Sequence, residues 1–396
     1  SAYRSADEIA RAAQGDPLIR LKSHLLQQGV GDEQLKTLAS EVEERLQQAD
    51  ALAMSGPEPD ARSVNISKRP LQVELTHPSR EQRVESVELT ESLRMRDALR
   101  ESLRHHLTED SRVVLLGEDI EDPKGDVFGV TKSLSTQFPG RVMNSALSES
   151  TIVGTAIGRA VAGERPVAFL QFADFMPHAY NQLASELGNI FWRTDGQYQA
   201  PVIVMVACGA YRPGLGPYHA QTYDSVLTHI PGLDVFMPAT ADDAAGMLNV
   251  AFKSERPTIV LYPKSMLNDE AVATTADVTQ SLVPVGVGRK VRSGRDLTLV
   301  GWGNTVSLCD KVATTLETSG AECEVIDLRS LSPWDEHMVL SSAEKTARLL
   351  VVHEDNHTCG LGGEILATVS ERSRMPVAVR RVTRPDTYIP CNFGTQ

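Results

Sequence analysis

The sequence predicts an α/β protein with two doubly wound domains, in each of which helices cover both faces of a mostly parallel sheet. Short, nearly uninterrupted apolar runs alternate with helical patterns from about residue 90 onward, and such runs are typical of strands buried on both faces. The same alternation repeats on a smaller scale over the last 110 or so residues. A chain of 396 residues also exceeds what one hydrophobic core usually supports.

Each domain is predicted from its own series of elements. The first contains strand-like runs at residues 112–119, 166–172, 201–207, 232–238 and 257–263, with helical patterns at 151–163 and 176–192. The second contains the strand-like runs DLTLVGWG, CEVIDLR, RLLVVHE and VAVRRV, separated by three helices. Polar residues near 275–290 mark the boundary. We therefore expect domains at 90–278 and 279–396.

The first 60 residues are predicted to form a helical appendage. Apolar residues recur at three- and four-residue steps between Leu35 and Ala53, which indicates an amphipathic helix with Asp32 as its N-cap. Residues 61–89 are polar and contain proline, so we expect a linker there. The apolar face of the appendage therefore needs another body to pack against.

Composition excludes several classes of function. The net charge of −13, without a local Lys/Arg cluster, disfavours nucleic acid and anionic lipid as partners. Five widely spaced cysteines, none in a Cys-x-x-Cys pair, argue against a disulfide framework and a zinc site and suit a reducing cytoplasm. No apolar run approaches the roughly 18 residues of a membrane span. The chain begins with Ser instead of Met, so we expect a processed product or the later half of a longer polypeptide.

Two residues are candidates for chemistry. Glu149 precedes a helix built from small residues, which places a carboxylate at the positive end of a helix dipole, although a capping role alone would explain it. His219 lies between a loop rich in glycine and proline and a short polar run, where a hydrogen-bonded surface role is the alternative to proton transfer.

A third candidate is the glycine-rich run at residues 353–365. It could form a phosphate cradle, but its spacing differs from G-x-G-x-x-G, and a tight strand-to-helix turn is the favoured interpretation. The sequence contains no serine nucleophile elbow, no H-E-x-x-H and no Walker motif.

Six sequence blocks follow one another in order between residue 90 and the C-terminus: GEDIEDPKGDVFGVTKSL (117–134), LSESTIVGTAIGRAVAG (147–163), FLQFADF (169–175), GPYHAQTYDS (216–225), IDLRSLSPWDEH (326–337) and VVHEDNHTCGLGGEI (351–365). On these blocks the chain resembles the β subunit of the thiamine-diphosphate-dependent 2-oxo acid dehydrogenases, the decarboxylating first components of the pyruvate and branched-chain complexes. The first 60 residues resemble the C-terminal tail of the α subunit in the same family, as in a fused α–β polypeptide.

The resemblance implies a role for each site residue. Glu149 would hydrogen-bond the aminopyrimidine ring of thiamine diphosphate, for which a water-poor site is needed. Phe175 would stack on that ring, and Leu147 and Gln171 would line the same pocket. His219 would face the reactive end of the cofactor and assist acyl transfer.

The resemblance also implies partners. The chain lacks the Gly-Asp-Gly element with a following Asn that ties Mg²⁺ to the diphosphate, so the metal and diphosphate would be held by an α-like half. Some family members bind potassium near the position of residues 251–257, but the side chains here do not match. We expect a dimer of α–β units that passes the acyl group to a lipoyl-bearing acyltransferase.

The sequence thus predicts oxidative decarboxylation of a 2-oxo acid. Pyruvate, branched-chain acids, acetoin or another acid all remain open as substrates. Two alternatives stand beside this prediction. One is ketol transfer of the transketolase or deoxyxylulose-phosphate-synthase type, for which no phosphate-binding basic cluster is found near His219. The other is a non-catalytic scaffold that keeps the fold.

Overall fold

A computed structural model of the chain describes residues 6–57, 92–210 and 215–391. The chain divides into two compact units, Ser1–Ser67 and Lys68–Gln396. The first unit contains three helices: α1 (Ala6–Gln14), α2 (Pro17–Gln27) and α3 (Asp32–Ser55). Among the described residues, no helix has the length and apolar character that a membrane crossing requires.

Helix α3 differs from its prediction at the N-terminus. Asp32 is the first helical residue, and the N-cap is Gly31, whose amide donates to Gln34 Oε1 at 3.1 Å. The Asp32 carboxylate instead pairs with Lys22 and Lys36, at 3.0 and 3.1 Å, so the prediction that Asp32 caps the helix was wrong. Two nearby ammonium groups attract the carboxylate away from the helix end. The apolar stripe of α3 is exposed within this unit, as at Leu46.

The second unit contains the remaining helices and the strands. The helices are α4 (Met95–Glu109), α5 (Leu134–Gln137), α6 (Glu149–Val161), α7 (Ile190–Arg193), α8 (Asp224–Thr228), α9 (Ala241–Lys253), α10 (Thr305–Glu317), α11 (Glu336–Thr346) and α12 (Leu361–Arg372). The strands are β1 (Val113–Gly117), β2 (Val142–Asn144), β3 (Arg165–Leu170), β4 (Ile203–Cys208), β5 (Asp234–Phe236), β6 (Thr258–Pro263), β7 (Arg289–Arg292), β8 (Leu297–Gly301), β9 (Cys323–Asp327), β10 (Ser330–Ser332), β11 (Arg348–Asn356) and β12 (Ala378–Arg384).

Two sheets organise this unit. The first has the strand order β10-β5-β6-β4-β3-β1-β2 and is parallel except for β10, which pairs antiparallel with β5. The second has the order β12-β11-β8-β9-β7 and is parallel except for β7. Strands β1, β3, β4 and β6 are buried along their whole length, as parallel strands covered on both faces must be. The predicted α/β fold with two sheets is confirmed.

The segment from residue 173 to residue 193 departs from the single helix predicted at 176–192. It forms a 3-10 segment at Ala173–Ala179, a π-helical turn at Gln182–Leu187 and the short helix α7. Pro177 has no N–H to donate within the 3-10 segment. Gly188 packs so closely that a Cβ there would lie 2.8 Å from Ile230 Cγ2. Local backbone chemistry and tight packing therefore break the helical pattern.

The glycine-rich run at 353–365 forms the turn from β11 into α12. Gly360 is the N-cap of α12, and a Cβ on Gly362 would lie 2.6 Å from His353 Cδ2. The His353 ring stacks on Trp302, with centroids 5.3 Å apart and planes 8° apart. The glycines are thus explained by the packing of a buried imidazole against the turn.

His353 should make the fold sensitive to acid. Burial lowers the pKa of His353 from 6.5 to about 4, and neither ring nitrogen has a hydrogen-bond partner within the described ranges. The unfolded chain therefore binds a proton more readily than the folded chain, so stability present above pH 6.5 is lost as the pH falls toward 4. The loss is at most about 3 kcal/mol.

The variant His353→Phe keeps a planar ring and removes the titrating group, so its stability should fall less over this pH range. Urea unfolding of both proteins at several pH values measures the difference. His337→Gln, a change at an exposed histidine of α11, is the control and should follow the wild type. Parallel curves for His353→Phe and the wild type would contradict the assignment.

Candidate active site

The candidate site lies where neighbouring parallel strands end. Strands β6, β4, β3 and β1 are adjacent in this order, and their carboxyl ends lead into Lys264, Gly209, Gln171 and Glu118. Because parallel strands end at the same edge of a sheet, residues that are distant in sequence are collected there. This edge is the usual position of a binding site in an open α/β sheet.

Glu149 is the first residue of α6. The N-cap is Ser148, whose side chain accepts a hydrogen bond from Thr151 N at 3.4 Å, so the capping role belongs to the serine. Glu149 is half-buried, and no donor in the described ranges hydrogen-bonds its carboxylate. A cleft of about 410 Å³ surrounds it, lined by Leu147, Ser148, Glu149, Ser150, Phe175 and His178.

His219 packs against aromatic rings. Its ring meets Phe172 edge-on, with centroids 4.6 Å apart and planes at 85°, and meets Phe175 at 5.5 Å and 75°. Phe175 also lines the Glu149 cleft, so one ring contacts both the imidazole and the cleft. His219 itself does not line that cleft. The structure thus brings Glu149, Phe175 and His219 to one region.

The two other predicted pocket residues, Leu147 and Gln171, differ in their position relative to the cleft. Leu147 lines the cleft and is 84% exposed. Gln171 is buried, and its amide is occupied by backbone groups: Nε2 donates to Glu118 O, and Oε1 accepts from Val127 N at 3.4 Å. In this structure Gln171 supports the loop that follows β1 and does not line the cleft.

Sequence reasoning missed Glu118. Burial raises the pKa of Glu118, and the carboxylates of Glu149 and Asp119 raise it further. Glu118 therefore lies close enough to Glu149 for the two carboxyl groups to influence each other. Its signal in the sequence is a carboxylate placed directly after a strand that is apolar along its whole length.

The described residues provide no evident metal centre. Within residues 6–57, 92–210 and 215–391, no three or more His, Cys, Asp or Glu side chains are grouped so that they could hold a metal ion.

Comparison with known proteins gives consistent matches over the second unit. Residues 91–270 match the transketolase pyrimidine-binding domain family, and residues 286–395 match the transketolase C-terminal domain family. The β subunit 2 of the mitochondrial 2-oxoisovalerate dehydrogenase of Arabidopsis thaliana is 35% identical over 78% of this chain and 87% of its own length. The β subunit of the pyruvate dehydrogenase E1 component of Leifsonia xyli is 35% identical over 76% and 88%.

The chain belongs to the family of 2-oxo acid dehydrogenase β subunits. This is a family of thiamine-diphosphate-dependent enzymes, as the pyrimidine-binding domain indicates. A solved structure described as a split-gene transketolase, inactive β4 tetramer, has the same fold, with a TM-score of 0.63 and 23% identity over 74% of this chain and 89% of its own. At that identity, it supports the fold alone.

The buried amide of Gln171 should be important for stability. In Gln171→Leu the Glu118 carbonyl and the Val127 amide lose their partner, which should destabilise the fold by about 1–3 kcal/mol. Urea unfolding at neutral pH measures the change. The control Gln199→Leu alters an exposed glutamine outside helices and strands and should leave stability nearly unchanged. Equal stabilities of the two variants would show that the Gln171 amide does not hold the loop.

Proposed function

We propose that this chain is the β component of a thiamine-diphosphate-dependent 2-oxo acid dehydrogenase, with Glu149 and His219 as its catalytic residues. One observation carries the proposal: Glu149 presents a carboxylate that no donor among the described residues hydrogen-bonds, beside an aromatic ring that also contacts an imidazole. A carboxylate left without a partner in a half-buried cleft favours a ligand that offers a donor.

The cleft residues fit the aminopyrimidine part of thiamine diphosphate. When bound, the cofactor supplies the nucleophilic carbon and the electron sink needed to decarboxylate a 2-oxo acid. A Glu149 carboxyl oxygen would hold a proton shared with a ring nitrogen of the cofactor. The face of Phe175 would orient the ring and exclude water from it, and Leu147 would cover the open side of the cleft.

His219 is proposed to transfer protons at the acceptor side of the reaction. An imidazole can take a proton from one group and return it to another near neutral pH. The edge-on contacts with Phe172 and Phe175 restrict the rotation of its ring, so its nitrogen atoms keep a defined direction. His219 would therefore assist acyl transfer to a lipoyl group of a partner acyltransferase.

An α-like polypeptide is proposed to complete the site. Mg²⁺ and a diphosphate need hard oxygen ligands, and no three Asp or Glu side chains among the described residues are grouped so that they could hold a metal ion. The exposed apolar stripe of α3, including Leu38, Val42 and Leu46, supports contact with a further body. We propose that this body is the α-like half, joined to this chain in a fused α–β polypeptide, and that two α–β units form a dimer.

Potassium is not included in the proposal. The carbonyl oxygens of Ala251 and Phe252 accept from Arg165 Nη2 at 2.6 and 3.0 Å, and the Ser254 carbonyl accepts from the same nitrogen. The Arg165 guanidinium already supplies positive charge to these three oxygens, so they are not free to bind a potassium ion. The residues at 251–257 are better explained by their contact with a buried arginine.

Glu149→Gln tests the proposed catalysis. The amide cannot share a proton as a carboxyl group does, so turnover with an artificial electron acceptor should fall by about a hundred-fold or more. The assay uses the chain with its α-like polypeptide, thiamine diphosphate and Mg²⁺. Glu371→Gln, at an exposed position of α12, should keep full activity. Wild-type turnover by a correctly folded Glu149→Gln would support the scaffold alternative.

The substrate class and the need for the α-like half are tested together. The chain alone and the chain with the α-like polypeptide are offered pyruvate, 2-oxoisovalerate, acetoin and a ketose phosphate. We expect acceptor reduction only with both polypeptides and only with 2-oxo acids or acetoin. Preferential use of the ketose phosphate would favour the transketolase-type alternative. Turnover by the chain alone would contradict the proposal that the active site is completed by the α-like polypeptide.

A further inference from the structure

A buried lysine and a half-buried aspartate bind the backbone around His219. Lys264 follows β6 and is 2% exposed, and its Nζ donates a hydrogen bond to the backbone carbonyl of His219. Asp174 accepts from Gln221 N through Oδ2 at 3.1 Å. We refer to residues 215–225 as the His219 segment. A cation and a carboxylate therefore bind its backbone only two residues apart.

The C-terminal α/β domain binds the same region. Glu354 accepts from Ala210 N and, through Oε2, from Asn304 Nδ2 at 2.7 Å. Gly209 N donates to Gln221 O at 3.0 Å, which ties the end of β4 to the His219 segment. These contacts place a second half-buried carboxylate near Lys264 and Asp174.

Lys264, Asp174 and Glu354 compensate one another electrostatically. Burial raises the pKa of both carboxyl groups, and the Lys264 ammonium opposes that rise in each. A buried ammonium is costly unless nearby acceptors and opposite charges offset its loss of hydration. The sequence thus retains a costly cation at a position where its hydrogen bond falls on the residue proposed to transfer protons.

Lys264 also contacts the ring that orients His219. Its Nζ lies 5.3 Å from the centroid of Phe172, and the imidazole packs against this same ring at 4.6 Å. A cation over an aromatic face is attracted to the ring and restricts its movement. Lys264 therefore holds both the backbone carbonyl of His219 and the ring that His219 contacts.

We propose that Lys264 is a positioning residue for His219, and that it fixes the direction of the imidazole through the His219 carbonyl and the Phe172 ring. This inference rests on the catalytic role proposed above for His219. Lys264 does not line the Glu149 cleft, so its effect on turnover passes through His219. Glu354 and Asp174 offset the charge of the ammonium and bind the adjoining backbone.

Hydrogen–deuterium exchange of the chain alone tests, without an activity assay, whether Lys264 holds the backbone of the His219 segment in place. Lys264→Met keeps an unbranched side chain of similar length and removes the donor. Amides of the His219 segment, above all Gln221, should exchange about ten-fold faster or more, because local opening becomes easier. Lys253→Met, at the exposed end of α9, is the matched control and should not change this exchange. Unchanged protection in a folded Lys264→Met would overturn the proposal.

Where Lys264→Met does not fold, Lys264→Gln is measured in its place, with the same expected direction. Lys264→Arg keeps a cationic donor and should restore part of the protection. Equal exchange in the Arg and Gln variants would contradict a role for the cation.

A double-mutant cycle with His219→Ala tests the functional part. In the enzyme with its α-like polypeptide, Lys264→Met should lower kcat about ten-fold or more, while KM for the 2-oxo acid and the affinity for thiamine diphosphate stay within about two-fold. In the His219→Ala background the same change should have no further effect on kcat, because the group being positioned is gone.

The outcomes separate the two proposals. A similar fold-loss from Lys264→Met in both backgrounds, or a fall in cofactor affinity that accounts for the whole loss, would overturn the positioning role. If His219→Ala alone keeps full turnover, the function proposed for His219 is wrong. In that case the exchange experiment still decides whether Lys264 holds the segment.

Discussion

The alignment of parallel strands β6, β4, β3 and β1 is the constraint on which the site depends. Backbone hydrogen bonds between neighbours fix the register, so the residues following each strand meet at one edge. Each of these strands is fully buried, and a displacement of one would expose apolar side chains along its whole length. The core therefore keeps Glu118, Gln171 and Lys264 in place.

Two carboxyl groups in different surroundings meet at this edge. Glu118 lies after a buried strand, where burial raises its pKa and the carboxylates of Glu149 and Asp119 raise it further, whereas Glu149 is the first residue of a helix. Glu118 thus belongs to the electrostatic surroundings of Glu149, although it was not among the predicted site residues.

The positions of strands could be predicted from the sequence more accurately than the contacts between side chains. Strand β6 was expected at 257–263 and lies at Thr258–Pro263, because period and apolarity are local properties. The irregular helical segment after Phe172 was missed, since Pro177 and the packing of Gly188 outweigh the helical pattern. Gln171 was predicted as a pocket residue, but its hydrogen bonds and those of Lys264 could not be predicted from sequence, because their partners come from distant parts of the chain. The roles assigned to the site residues remain predictions.

The run His353–Asp355 ties the C-terminal sheet to the first one through two direct contacts and, by way of Trp302, one indirect contact. His353 stacks on Trp302, Glu354 binds Ala210 N, and Asp355 accepts from Ser225 Oγ at 2.6 Å. Trp302 in turn donates from Nε1 to Asp224 at 2.6 Å. The two domains of this chain are therefore joined by matched polar contacts and are not structurally independent modules. A chimera would have to inherit both surfaces of this junction together, or leave buried carboxylates facing groups that do not match them.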